Sequence, residues 1–252
     1  MSASSFGEPH LSVSQISTWQ QCARKYRYQY VDRLPWPAVP STLVFGTAMH
    51  QALAVLSEAR LQGHEPSLQD LQDAYRVAWA AETKPIKMKD GETPEALDAM
   101  ARALLTVALE RPAGGRVLAV EEAFRVQLAD HLPPLVGVID LIEERDGRAV
   151  IIEHKTAAQR FTEQRVADDH QPSAYALAAL QMGLPGISTV DDVEVRYNVL
   201  LKLKKPAIDD RPTRRSGRQV DELVEVASAL WASRELGIFP PSRGWHCATC
   251  PF

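Results

Sequence analysis

Over the first third of the chain apolar residues recur at three- and four-residue steps, and over the middle they alternate or run together. The pattern therefore predicts helices followed by strands. Ser14 is placed to cap a helix running through Trp19, Cys22 and Tyr26, with Ser17, Gln20 and Gln21 on its other faces. Pro35, Pro37 and Pro40 make a stiff connector. A second helix starting near Thr42 carries Ala48, Met49, Leu53 and Leu56, and two amphipathic segments follow, Leu68 to Ala80 and Pro94 to Leu109. Strand-like runs then occupy Val117 to Leu128, Leu135 to Glu143 and Ala149 to His154. Asp146-Gly147 between the last two is a hairpin signal. A helix from Pro172 to Met182, a strand from Val193 to Leu203, a flexible charged loop from Lys204 to Arg218 and a helix from Val220 to Leu236 complete the pattern. Helices, then β-β-β-α-β, then a helix predict an α/β or α+β fold with a helical N-terminal lobe.

Composition narrows this picture. With 252 residues, 45% of them hydrophobic, the chain can bury one generous core, or one core with an appended helical lobe. No apolar run approaches the roughly 20 residues of a membrane span. The stretch Met1 to His10 is polar and lacks a basic start followed by an apolar segment, so a cytoplasmic location is expected. A net charge of −4 speaks against a protein that coats nucleic acid, but leaves room for an enzyme with a local basic patch. Cys22, Cys247 and Cys250 are odd in number, which argues against a disulfide framework and leaves metal binding or plain burial.

Candidate chemistry concentrates on the predicted hairpin. Asp140 interrupts the apolar run Gly137-Val138-Ile139-Asp140-Leu141-Ile142, and Ile151-Ile152-Glu153-His154-Lys155-Thr156 puts Glu153 and Lys155 on one face of the next strand. Counted from the Asp146-Gly147 turn, Asp140 and Glu153 fall nearly opposite each other. Two carboxylates in apolar strands need compensation, and a hard divalent cation such as Mg²⁺ supplies it. Lys155 would then orient water or stabilise charge on a phosphate. The plainer alternative is a solvated strand face. Glu121 and Glu122 open the first strand; an approach of either to a metal is weighed against ordinary solvated acids. Lys202, Lys204, Lys205, Arg211, Arg214, Arg215 and Arg218 crowd one segment and read as phosphate contacts or as a solvated loop. Arg24, Lys25 and Arg27, interleaved with Tyr26, Tyr28 and Tyr30, read as a grip on a single strand or as core packing.

Asp140 with Glu153-His154-Lys155 resembles the PD-(D/E)xK nuclease motif, and further positions resemble the RecB-like, CRISPR-adaptation-type branch. These are Gly46-Thr47-Ala48-Met49-His50, similar to a G-x-x-x-H motif; Gln171-Pro172-Ser173-Ala174-Tyr175, similar to a Q-x-x-x-Y helix; the opening helix Ser14 to Tyr30; and the cysteine-bearing ending from Gly237 to Phe252. They run in family order from Ser12 to Phe252. The resemblance implies a single nuclease domain over residues 1–252, with a helical lobe (1–112) carrying Cys22 and His50 and a restriction-endonuclease-like core (113–252) whose mixed sheet is flanked by helices. It implies Mg²⁺ or Mn²⁺ held by His50, Asp140 and Glu153, with Gln171 and Tyr175 lining the site around Lys155. Cys22, Cys247 and Cys250 resemble three of the four ligands of a [4Fe–4S] cluster. The fourth cysteine is absent, and His246 or a zinc site are the alternatives. The implied activity is phosphodiester hydrolysis on DNA by an exonuclease of repair, recombination, phage replication or CRISPR adaptation. A helicase or CRISPR-adaptation protein is the expected partner, since no phosphate-binding Gly-rich loop occurs. The alternative function is a catalytically silent subunit that binds DNA ends within a helicase–nuclease complex.

Overall fold

The computed structural model describes residues 9–252, so most of the polar start lies outside the described residues. The chain opens with α1 (Val13–Gln21), capped by Ser12 rather than Ser14. Cys22 then adopts an extended backbone that breaks the expected continuous helix into α1, α2 (Ala23–Tyr26) and a wider helical turn, Arg27–Val31. A short strand, β1 (Val39–Pro40), leads into α3 (Ser41–Leu61). Then come α4 (Leu68–Ala80), β2 (Ile86–Lys87) and α5 (Pro94–Glu110). Ser67 and Asp70 form a reciprocal cap on α4; Thr93 caps α5, whose first position is Pro94.

Five strands form the main sheet in chain order: β3 (Arg116–Val126), β4 (Leu135–Arg145), β5 (Arg148–Ala157), β6 (Glu194–Leu201) and β7 (Ala207–Arg214). All neighbours are antiparallel except β5 and β6, which are parallel and joined through α6 (Glu163–Ala167) and α7 (Gln171–Gln181). Asp146 and Gly147 both have positive φ (51° and 76°), the backbone that the tight hairpin between β4 and β5 requires. The last long helix is α8 (Gly217–Glu235). The segment read from sequence as a charged loop is thus β7 and the start of α8.

The mixed sheet is flanked by helices on both faces, as in a restriction-endonuclease-like fold. One face packs Ile139, Ile151 and Val195 against α1, α7 and α8; the other packs Leu200 and Ile208 against α3, α4 and α5. Gly137 lets the Phe124 ring lie on the β4 backbone, since a Cβ there would stand 2.6 Å from the ring. Besides a register shift between Val117 and Ala119 on β3, side-chain alternation fails on β4. Ile139 joins the core under α7, whereas Leu141, two residues on, joins Val117, Val150 and Ile152 on the opposite face. The reversal falls where Glu121 faces Asp140, between the pairs Val120↔Leu141 and Glu122↔Ile139. Glu121 has a left-handed backbone there (φ 50°). Among the described residues no helix is long and apolar enough to cross a membrane.

Candidate active site

Pairing between β4 and β5 runs from Arg145↔Arg148 to Leu141↔Ile152 and then stops. Where the strands part, Asp140 Oδ2 accepts the backbone N–H of His154 at 2.8 Å. Asp140 Oδ1 lies 3.3 Å from Nδ1 of His50, which α3 brings over the sheet. Glu153 points to the opposite side from His154, toward α7, and is 2% exposed. Its Oε1 accepts from Lys155 Nζ at 2.5 Å and its Oε2 from the Tyr175 hydroxyl at 2.6 Å. Lys155 also donates to Gln171 Oε1 at 2.8 Å, and Gln171 Nε2 donates to the Tyr175 hydroxyl at 2.7 Å. Asp140, Glu153, Lys155, His50, Gln171 and Tyr175 therefore stand together. Glu153 and Lys155 share a face, and Gln171 and Tyr175 share a helical turn, as their spacings require.

Burial is the largest influence on every one of these groups, and the neighbouring charges add to it or oppose it. Burial pushes Glu153 above the usual carboxylate range and the Asp140 charge adds to this, against the pull of Lys155. Burial opposes a charge on Lys155, but Glu153, Asp140 and Asp169 together raise its pKa, so it stays an ammonium. Burial would likewise neutralise both His50 and Asp140. Their mutual hydrogen bond and charge overcome it, raising His50 and lowering Asp140. Glu121 is raised by its own burial and then by Asp140. Burial also pushes Tyr175 well up, which leaves its hydroxyl a donor. His154 is buried, has no hydrogen-bond partner for either ring nitrogen, and is pushed down to about 4.

Donors suited to a divalent cation are gathered here: two carboxylates and an imidazole. Among the described residues, no three His, Cys, Asp or Glu groups converge as a ready metal cage, here or at the cysteines; here the Glu153 oxygens are bonded to Lys155 and Tyr175. The donor set and its surplus negative charge fit such a cation chemically.

The basic segment is corrected by the structure. Arg211 pairs with Asp209 at 2.6 Å, Arg214 with Glu194 at 3.1 Å and Arg218 with Glu222 at 3.3 Å, while Arg215 is buried. Lys202, Lys204 and Lys205 remain at the β6–β7 turn, with Lys202 Nζ 4.9 Å from the centre of the Phe45 ring on α3. The tyrosine-rich stretch is also largely structural: Tyr26 is fully buried, and Arg24 is bonded to the Phe239 carbonyl at 3.0 Å. At the other end of the molecule, burial would raise the Cys22 thiol, but the backbone amides of Lys25, Ser242 and Arg24 and the Lys25 charge bring it below the usual value. Cys247 Sγ and His246 Nε2 lie 3.9 and 2.9 Å from the Ser242 carbonyl oxygen. Sequence reading missed Asp169, Tyr197 and the buried role of Arg215. Only Asp169, an acid just ahead of a helix, carried a readable signal.

A sequence model of the PD-(D/E)XK nuclease superfamily matches residues 10–252. The Gene 69 protein of Mycobacterium phage L5 is 33% identical over 86 residues, which are 34% of this chain and 28% of that protein. The chain thus covers under a third of that relative's length. A candidate exonuclease from Eubacterium rectale superposes with a TM-score of 0.56 at 13% identity, over 99% of this chain and 92% of that one, so the two share a fold.

Proposed function

Because the chain belongs to the PD-(D/E)XK nuclease superfamily, we propose that it is a Mg²⁺- or Mn²⁺-dependent DNA exonuclease of the RecB-like branch. In this reading residues 1–252 form one cytoplasmic nuclease domain working in DNA repair, recombination, phage replication or CRISPR adaptation, with unwinding left to a helicase or CRISPR-adaptation partner. The observation that carries the proposal is the meeting of Asp140, Glu153 and His50 with Lys155 where β4 and β5 part.

Asp140 and Glu153 would hold the cation through oxygen and His50 through nitrogen. His50 must give up the proton that its ion pair with Asp140 favours, so occupancy competes with acid. The cation supplies Lewis acidity to water and to the phosphodiester. Lys155, kept charged by its acid neighbours, faces the negative charge that grows on the phosphate oxygens. Gln171 and Tyr175 hold Lys155 and Glu153 in register. Lys202, Lys204 and Lys205 supply phosphate contacts, and binding should weaken with salt accordingly.

The test is incubation of labelled single- and double-stranded DNA with Mg²⁺ or Mn²⁺. Wild-type protein should cut, and Asp140→Ala and Lys155→Ala should abolish cleavage while leaving the fold and most DNA binding intact. Uncut DNA in both metals would overturn the enzyme reading, and full activity in both variants would overturn the assigned site. We propose further that Cys22, Cys247 and Cys250 bind a metal centre. A [4Fe–4S] cluster there needs one ligand beyond these three thiols, with His246 in place beside Ser242, or the thiols take zinc.

A further inference from the structure

Behind Gln171 lies a chain of hydrogen bonds, buried at Tyr197 and Arg215 and half-buried at Asp169, that bypasses the metal-binding side chains. Tyr197 sits beside Glu153 in the parallel β5–β6 register and is fully buried. Its hydroxyl donates to Asp169 Oδ2 at 2.8 Å. The other oxygen, Asp169 Oδ1, accepts the backbone N–H of Gln171 at 2.9 Å, at the first residue of α7. Arg215, 3% exposed, donates to the carbonyl oxygens of Val166 and Asp169 at 2.5 and 3.2 Å and so fixes the turn that presents the carboxylate. Gln171 is then held at its backbone by Asp169 and at its side chain by Lys155 and Tyr175. Its orientation is chemically forced: an ammonium only donates, so the amide oxygen must face Lys155 and the amide nitrogen must face Tyr175.

We propose that Tyr197, Asp169 and Arg215 form a positioning brace that sets Gln171, and through it the ammonium of Lys155, for phosphodiester hydrolysis. Lysine is a charge on a flexible stem, and its effect on a developing anion depends on where that stem is held. Hydrogen bonds in a row, largely shielded from water, are suited to this because each partner is costly to leave unpaired. None of the three residues contacts DNA in this role, and Arg215 serves the interior rather than a phosphate.

The inference rests on the nuclease reading, and the test separates the two. Cleavage of a DNA oligonucleotide is measured for wild type, Tyr197→Phe, Asp169→Ala, Gln171→Ala and Tyr197→Phe combined with Gln171→Ala. Hydrogen exchange of the Gln171 amide is followed alongside. Tyr197→Phe, which removes only one oxygen, should lower kcat by about tenfold with KM for DNA little changed, and should speed exchange at Gln171 while the β5 and β6 amides stay protected. In the Gln171→Ala background the same change should add no further loss. Wild-type kcat in both Tyr197→Phe and Asp169→Ala, or an equal extra loss in the double variant, would overturn the brace. If wild-type protein cuts nothing, the nuclease reading fails, and unchanged exchange at Gln171 in Tyr197→Phe would overturn the brace as well.

Discussion

His154 lies between Glu153 and Lys155 in sequence but on the other face of β5, in the layer under α3 and α5. Its depressed pKa, about 4 against 6.5 for a free imidazole, ties it to acid stability. Between those values the unfolded chain binds a proton that the folded protein refuses. The contribution is therefore fully present above pH 6.5 and is lost as pH falls toward 4, a change of about 3 kcal/mol for a drop of that size. Urea unfolding of metal-free protein across this window should be visibly less pH-dependent in His154→Gln than in wild type; parallel curves would refute the assignment. The same scale shows why some site residues were legible and others were not. Asp140, Glu153 and Lys155 stand out because charge interrupts apolar strands. Arg215 reads in sequence as one more cation in a basic run, and only packing shows that it points inward, just as Tyr197 carries no sign of its carboxylate partner.

Elements with chemical punctuation were readable. The boundaries of α4 and α5 follow from Ser67, Asp70, Thr93 and Pro94, and the β4–β5 hairpin from Asp146-Gly147. β7 was not readable because Ala207–Arg214 is an edge strand, rich in charge and carrying Pro212, features that protect an open sheet edge and mimic a loop. Its charges are paired in the fold: Arg211 with Asp209 along the strand, Arg111, just past α5, with Asp210 at 2.5 Å, and Arg214 with Glu194 on β6. The helix break at Cys22 was likewise hidden, since nothing in the local sequence forbids a helix. The extended backbone there turns the thiol toward the amides of Arg24, Lys25 and Ser242.

Across the whole molecule, the C-terminal segment is laid along α2 and the wider turn that follows it. Phe239 stacks on Tyr26 with ring centres 6.1 Å apart, and Phe252 meets Tyr28 at 5.5 Å. A metal centre on Cys22, Cys247 and Cys250 would lock that closure and restrict the unfolded chain. If that centre is an iron–sulfur cluster, anaerobically purified protein should absorb in the visible; if it is zinc, the protein should be colourless and hold zinc; in either case Cys22→Ser should lower the metal content and the Tm. Colourless protein that also holds no zinc would remove the cysteines from metal chemistry. The layered architecture followed from helical and strand periods in the sequence, whereas the meeting of α3 with the split between β4 and β5 depends on long-range packing.

Glu121 adds a different consequence. A left-handed backbone on a residue other than glycine, here an acid opposite Asp140, opposes both local sterics and local charge, at a cost of about 1 kcal/mol for the backbone alone. Selection for robustness and selection for turnover should then disagree at this one position. Glu121→Asn suits the backbone and removes a repelling acid, so it should raise the Tm by a few degrees while slowing cleavage. A variant that gained heat resistance at no expense in rate would mean that the strain serves no catalytic end. Computational stabilisation that scores only the fold is expected to strike Glu121 early, and to blunt the nuclease by doing so.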